Sequence, residues 1–100
     1  MAVTSKALFR GAAAISSTTL YTVPSGTTAI VTSILVTNTA ASAATFDLLL
    51  NDVAIADNVA ISANDTININ TKQVVATTET IKGLASAITV NFHISGVEIV

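Results

Sequence analysis

This sequence of 100 residues has no cysteine and no tryptophan, and it has few charged or aromatic side chains. The absence of cysteine excludes both a disulfide framework and a thiolate metal site. With only Phe9, Tyr21, Phe46 and Phe92 as aromatic residues, the core must consist mainly of Ile, Val, Leu and Ala, which bury less surface per residue. A domain of this size has a modest core, so we expect the chain to associate with copies of itself.

Charge is also scarce. Charged residues make up 10% of the chain, whereas an ordinary soluble domain carries about 25%. The formal net charge is −2, and the four cations lie far apart in the sequence, so we expect no basic patch that would attract nucleic acid. Hydroxyl and amide side chains keep the surface wet instead, and burying such a surface costs little desolvation free energy.

Long apolar runs are missing as well. Runs such as residues 48–50 are far shorter than the roughly 20 residues of a membrane-spanning helix. Arg10 and Gly11 interrupt the apolar stretch of residues 7–15, which argues against a signal peptide. We therefore expect a protein that is made and used without crossing a membrane.

Alternation of apolar and polar residues is the dominant pattern that is present. Residues 88–95 alternate without a fault, which predicts a half-buried strand with Phe92 on its apolar face and His93 on its polar face. The apolar phase changes after Gly96, which predicts a β-bulge or a strand that leaves one sheet for another. Residues 27–39 carry β-branched side chains on both faces, which predicts a central or doubly covered strand.

Turn residues separate these apolar segments. Pro, Gly, Asn, Asp and Thr at such positions predict chain reversals at Pro24-Ser25-Gly26, Asn51-Asp52, Asp57-Asn58, Asn64-Asp65 and Thr77-Thr78. Residues 40–44 are too short for a stable helix and predict a loop.

Together these signals predict an all-β fold of about eight short strands, either an antiparallel β-sandwich or a jelly roll. Residues 18–100 form the predicted β-sandwich domain. Residues 1–17 are either an N-terminal arm or the first strand.

No set of residues forms a recognisable catalytic site. His93 is the only imidazole, and no second His, Cys or carboxylate motif accompanies it for ligation or base catalysis. Loop oxygens could bind Ca²⁺ at Asp47, Asp52, Asp57, Asp65, Asn51, Asn58 and Asn64, but these residues match no EF-hand spacing and the predicted turns already account for them. We expect no enzyme activity, no cofactor and no metal.

Two features point to contacts with other molecules. Glu98 stands between two apolar residues, either as an outward charge that blocks edge pairing or as half of an ion pair with Arg10 or with a lysine of another subunit. Residues 3–15 have the least regular pattern and are a candidate arm that reaches a neighbour. The candidate assembly contacts are Val3, Leu8, Phe9, Arg10 and Glu98.

Two motifs resemble small virion proteins of tailed bacteriophages. They are Leu20-Tyr21-Thr22-Val23-Pro24-Ser25-Gly26 and Ser95-Gly96-Val97-Glu98-Ile99. The resemblance covers roughly residues 18–100. Similar β modules in that family serve as capsid decoration (cement) proteins, commonly trimers, and as parts of tails and fibres.

The resemblance implies a non-enzymatic protein of the capsid surface, made in the host cytoplasm. Its expected partners are copies of itself, as a homotrimer, and the major capsid protein, with no nucleic acid and no membrane. Two alternatives stay open. One is a tail, adaptor or fibre component. The other is a non-viral carbohydrate-binding or adhesion module, for which a single tyrosine and no tryptophan provide few aromatic surfaces to stack on a sugar.

Overall fold

The computed structural model describes residues 2–100, and within that range the chain is all-β. Its nine strands are β1 (Val3–Ala12), β2 (Thr18–Thr22), β3 (Thr28–Asn38), β4 (Ala44–Leu50), β5 (Val53–Ile61), β6 (Thr66–Ile69), β7 (Gln73–Val75), β8 (Thr80–Ala85) and β9 (Val90–Ile99). In residues 2–100 there is no helix that is long and apolar enough to cross a membrane.

The strands form two antiparallel sheets. Sheet A has the order β1-β9-β3-β6, with β7 also paired to β3, and sheet B has the order β2-β8-β4-β5. The pairs β1–β9, β2–β8, β3–β6 and β4–β5 are nested along the chain, which is the jelly-roll arrangement. The predicted fold class is confirmed, and β3 is a central strand as predicted.

The core lies between the sheets. Phe46 of sheet B and Phe92 of sheet A meet edge to face, with ring centroids 6.1 Å apart at an interplanar angle of 68°. Both rings are buried, and such a contact adds to the burial of the rings themselves. His93 lies on the outer face, between two buried residues, as the alternation predicts.

The first residues of the chain belong to the sandwich. Residues 3–12 form β1, which pairs with β9 over its length, so in this chain the segment is the first strand and not a free arm. Leu8 and Ala13 contribute to the core. Met1, part of the predicted 1–17 segment, lies outside the described residues.

Gly96 marks a close approach of strands, not a bulge in its own strand. The extra residues lie in the neighbouring strands, Leu8 in β1 and Thr32 in β3. A Cβ at position 96 would lie 2.2 Å from the carbonyl oxygen of Ile30, so only glycine fits. The sequence therefore predicts an irregularity at the correct level of the sheet but in the wrong strand.

Most of the predicted turns are present. Asn51 and Asp52 both have positive φ, 50° and 64°, which is the type I′ conformation that suits a two-residue hairpin between β4 and β5. Gly26 has a φ of 73° and the Thr27 N–H donates to the Pro24 carbonyl at 3.2 Å. Thr78 also adopts positive φ.

The pair Asp57-Asn58 is not a chain reversal. It lies inside β5, where two residues oppose the single residue Asp47 of β4. The Asn58 N–H donates to Asp47 Oδ1 at 3.0 Å, and Asn58 has a φ of 51°. A β-bulge and a turn both use an Asn with positive φ, so the local sequence predicts either one.

Candidate assembly surfaces

All five predicted contact residues lie on β1 and β9, which are neighbours in sheet A. Val3 is 64% exposed, and Arg10 is exposed opposite His93. Leu8 is buried in the core, so its side chain is not available to a partner. Phe9 is half-buried and packs against the core.

Glu98 points toward the space between the sheets, not outward. It is paired with Ala29, which is fully buried, and its carboxylate accepts a hydrogen bond from the Tyr21 hydroxyl of sheet B. Lys6 Nζ lies 3.3 Å from Glu98 Oε2. The predicted outward charge is therefore wrong, and within the described chain the ion-pair partner is Lys6, not Arg10. An ion pair with a lysine of another subunit stays a prediction.

The two titratable groups of this cluster shift in opposite directions. The hydrogen bond from Tyr21 lowers the pKa of Glu98, burial opposes that change, and the hydrogen bond and charge of Lys6 add to the lowering. Burial raises the pKa of Tyr21, and so do the hydrogen bond to Glu98 and its charge. The cluster is thus held as a phenol that donates to a carboxylate, and it ties β2 to β9 at one end of the sandwich.

The outer face of sheet A carries an uncharged area that crosses four strands. It consists of three cross-strand rows, which we call the uncharged face: Val3, Ile99 and Thr28; Ser5, Val97, Ile30 and Val74; Ala7, Ser95 and Ser33. Val3 and Val74 are 64% and 67% exposed, and its other apolar members Ile30, Val97 and Ile99 are half-buried.

A shallow groove crosses the uncharged face. Its lining includes Ser5, Ala7, Arg10, Thr32, Ser95 and Val97. Lys6 and Arg10 line it at the β1 edge, its other polar side chains are hydroxyls without a neighbouring base, and no aromatic side chain lines it. It therefore has the chemistry of a contact surface more than that of a ligand pocket.

The two lateral sides of the sandwich differ in charge. One side is formed by the edge strands β1 and β2, which contact each other. Its edge strand β1 carries Lys6 and also Arg10, which lies where this side borders the outer face of sheet A; we call it the basic side. The other is formed by β5 with β6 and β7. Its β5 edge carries Asp57 and, in the preceding turn, Asp52, which pairs with Lys82; Lys72 lies on the β6–β7 connection. We call it the acidic side after its β5 edge.

Three of the acidic residues, Asp47, Asp52 and Asp65, have partners within the chain. Asp47 accepts from Asn58 N, Asp65 Oδ1 accepts from its neighbour Thr66 N at 2.9 Å, and Asp52 pairs with Lys82 at 2.9 Å. Within residues 2–100, no three His, Cys, Asp or Glu side chains are grouped so that they could hold a metal ion.

Sequence reasoning missed the uncharged face. Val74 lies in a three-residue strand and joins Ile30 only through the β3–β7 pairing, which no local pattern reveals. The sequence did contain one sign that Val97 and Ile99 face outward. Apolar residues occupy the even positions in residues 88–94 but the odd positions 97 and 99. That signal says that the apolar residues change face.

No protein-family model matches the chain, and no curated protein matches it. A solved structure to which the chain is similar is that of a pentameric capsid protein isolated from metagenomic phage sequences, with 19% sequence identity and a TM-score of 0.42. The match covers 90% of this chain and 58% of that protein, so this chain spans little more than half of that protein's length. The function proposed below rests on the residues of this chain.

Proposed function

We propose that this chain is a non-enzymatic structural protein of a tailed-bacteriophage virion, and that it acts as a capsid decoration (cement) protein. The two motifs that resemble such virion proteins, at residues 20–26 and 95–99, lie on β2 with the turn after it and on β9, and they meet where Tyr21 binds Glu98. The uncharged face carries the proposal, because it is the part of the surface that can be buried on a shell at low cost.

The size of this face suits a weak contact that is repeated many times. Three rows across about four strands span roughly 300 Å², whereas a stable protein–protein interface needs about 800 Å² on each partner. One copy would therefore bind weakly, and several linked copies would bind through avidity. Serine, threonine and alanine between the valines and isoleucines keep the desolvation cost small.

Two variants test the contact, and locating the protein in purified particles by electron microscopy tests the function. Ile30→Glu places a charge at the centre of the uncharged face, and we expect it to fold but to lose binding to particles that lack the protein. Thr45→Glu, on the outer face of sheet B, is the matched control and should bind normally.

Density for this chain on the head would support the proposal. Density only at the tail would support the tail or fibre alternative and overturn the decoration role. Absence from particles, together with binding to a glycan array, would overturn the virion role.

A further inference from the structure

The lateral sides of the sandwich are large enough to form a stable interface. The molecule measures 45 × 21 × 18 Å, so each lateral side offers about 800 Å², the share of one partner in a standard interface. Three exposed residues on these sides have no ion-pair or packing partner that covers them within the described chain. In residues 2–100 neither Arg10 nor Asp57 makes an ion pair, and Val53 is 67% exposed.

Arg10 and Asp57 lie at the same level of the sandwich, on opposite sides. Gly11, next to Arg10, pairs with Phe92. Ala56, next to Asp57, pairs with Leu48. A Cβ on Gly83 would be 3.0 Å from the side chains of both Leu48 and Phe92. The three residues therefore pack at one level, and Arg10 and Asp57 flank it.

Lys6 and Val53 share a second level. Lys6 contacts Glu98, Glu98 accepts from Tyr21, and Tyr21 is joined to Val53 through the paired positions of β8 and β4. Asp52 precedes Val53 and is also exposed.

The two sides match in spacing as well as in chemistry. Lys6 and Arg10 are four residues apart, as are Val53 and Asp57, which is about 13 Å along each strand. Each interval contains one bulge, at Leu8 in β1 and at Ile55 in β5. Both strands run in the same direction along the sandwich, since both lead from the level of Tyr21 toward the level of Phe92.

We propose that copies of this chain associate side by side, with the basic side of one copy against the acidic side of the next. Arg10 meets Asp57 of the neighbour, while the aliphatic stem of Lys6 packs on the neighbour's Val53 with its ammonium group near Asp52. Such a contact uses two different surfaces, so it is heterologous and closes into a ring when the rotation permits. This inference rests on the proposed function and deepens it, because a ring would present several uncharged faces to one shell.

Charge reversal in two variants tests the pairing. Arg10→Asp places two negative charges at the proposed contact between positions 10 and 57, and Asp57→Lys places two positive charges there. We expect each variant to need at least about tenfold more protein to assemble in sedimentation experiments. In an equimolar mixture the two variants should bind each other, because each then supplies the charge that the other lacks. A ring with an odd number of copies keeps one like-charged contact, so the readout is binding between the two variants and not closure of the ring. Thr45→Glu, on the outer face of sheet B in the non-edge strand β4, also makes the chain more acidic and should assemble normally.

Several outcomes would overturn the pairing. One is a wild-type protein that stays monomeric at about 100 μM. Another is a mixture in which the two variants do not bind each other. The third is an Asp57→Lys variant that assembles normally while Arg10→Asp does not, which would indicate pairing of β1 with itself. Circular dichroism checks that each variant folds, and Arg10→Gln and Asp57→Asn are milder substitutes.

The two proposals fail separately. A protein that assembles through these sides but is absent from particles overturns the virion role and keeps the pairing. A protein found on the head whose assembly ignores the Asp57→Lys change keeps the virion role and overturns the pairing.

Discussion

Tyr21 and Glu98 form a contact between residues that are 77 positions apart in the chain. A carboxylate that is 14% exposed needs partners, because an unpaired buried charge is costly. Tyr21 provides one from sheet B and Lys6 provides another from β1. At the scale of the residue, this cluster replaces apolar packing at one end of the sandwich with charge-assisted hydrogen bonds.

The first prediction concerns pH. Because the pKa of Glu98 is lowered in the folded protein, its contribution to stability is present above the ordinary carboxyl pKa and is lost as the pH falls through the folded value. Because the pKa of Tyr21 is raised, its contribution is present below about pH 10 and is lost as the pH rises above it. We expect Tyr21→Phe to lower the free energy of unfolding by about 1–2 kcal/mol at pH 7. Its melting temperature should vary less with pH below 5 and above 10.

Thermal melts from pH 3 to 11 provide the measurement. Lys6→Met is the control, since an exposed ion pair is worth about 0–1 kcal/mol, and this variant retains the alkaline dependence. Identical pH profiles for wild type and Tyr21→Phe would contradict the assignment.

The second prediction compares two buried glycines. Gly96→Ala should cost about 3 kcal/mol or more, because its Cβ would lie 2.2 Å from the backbone oxygen of Ile30, which cannot move without breaking the sheet. Gly83→Ala should cost about 1–2 kcal/mol, because its Cβ would meet three side-chain atoms at 3.0 Å, and side chains can shift. Urea denaturation measures both. Equal losses would mean that the strands around Gly96 adjust more easily than the structure indicates.

At the scale of the element, β1 completes sheet A. Its pairing extends to the chain ends, where the amide and carbonyl of Ala2 exchange hydrogen bonds with those of Val100. In an antiparallel pair, residues alternate between those that exchange backbone hydrogen bonds with the partner strand and those that do not. The backbone N–H and C=O groups of Val3, Ser5 and Ala7 therefore point away from β9 and leave an open edge. The bulge at Leu8 interrupts this edge, and bulges discourage uncontrolled edge pairing.

The third prediction follows from that placement. Deletion of residues 1–12 removes Leu8 from the core and leaves β9 without a partner on one side, so we expect the cooperative thermal transition to disappear. Insertion of Gly-Ser between Ser16 and Ser17, in the exposed connection to β2, should change the melting temperature by only a few degrees. A truncated protein that still unfolds cooperatively would show that β1 is a detachable arm.

At the scale of the whole molecule, the uncharged face and the lateral sides have different roles in the proposed assembly. The uncharged face offers apolar and hydroxyl contacts, whereas the lateral sides carry the charges that would align one copy with the next. Exposed ion pairs contribute little free energy, so apolar residues such as Val53 must supply most of the attraction while the charges select the orientation.

The fourth prediction separates these two kinds of contact by salt. Raising NaCl from 0.05 M to 0.5 M shortens the Debye length from about 14 Å to about 4 Å, so self-association through the lateral sides should weaken several-fold. Binding of the uncharged face to particles should change little when the protein is held in one oligomeric state by crosslinking. Sedimentation and particle co-sedimentation at both salt concentrations measure this. Equal salt sensitivity of the two would contradict the division.

The sequence alone determines the local features of this protein. Alternation in residues 88–95 predicts a strand with Phe92 inward and His93 outward, and Asn51-Asp52 predicts a tight hairpin turn. These properties depend on side-chain periodicity and backbone preference over a few residues, and both act before the strands meet. They suffice to predict an all-β sandwich.

Only the tertiary structure decides which surfaces exist. The partner of Glu98, the bulge at Asp57-Asn58, the pairing of β1 with β9 and the joining of Val74 to Ile30 all depend on register between distant strands. Register is set by the fit of whole sheets, and a shift of one residue would move each side chain to the opposite face. For this reason the local pattern predicts strands and turns, while the uncharged face and the opposed lateral sides come from the assembled jelly roll.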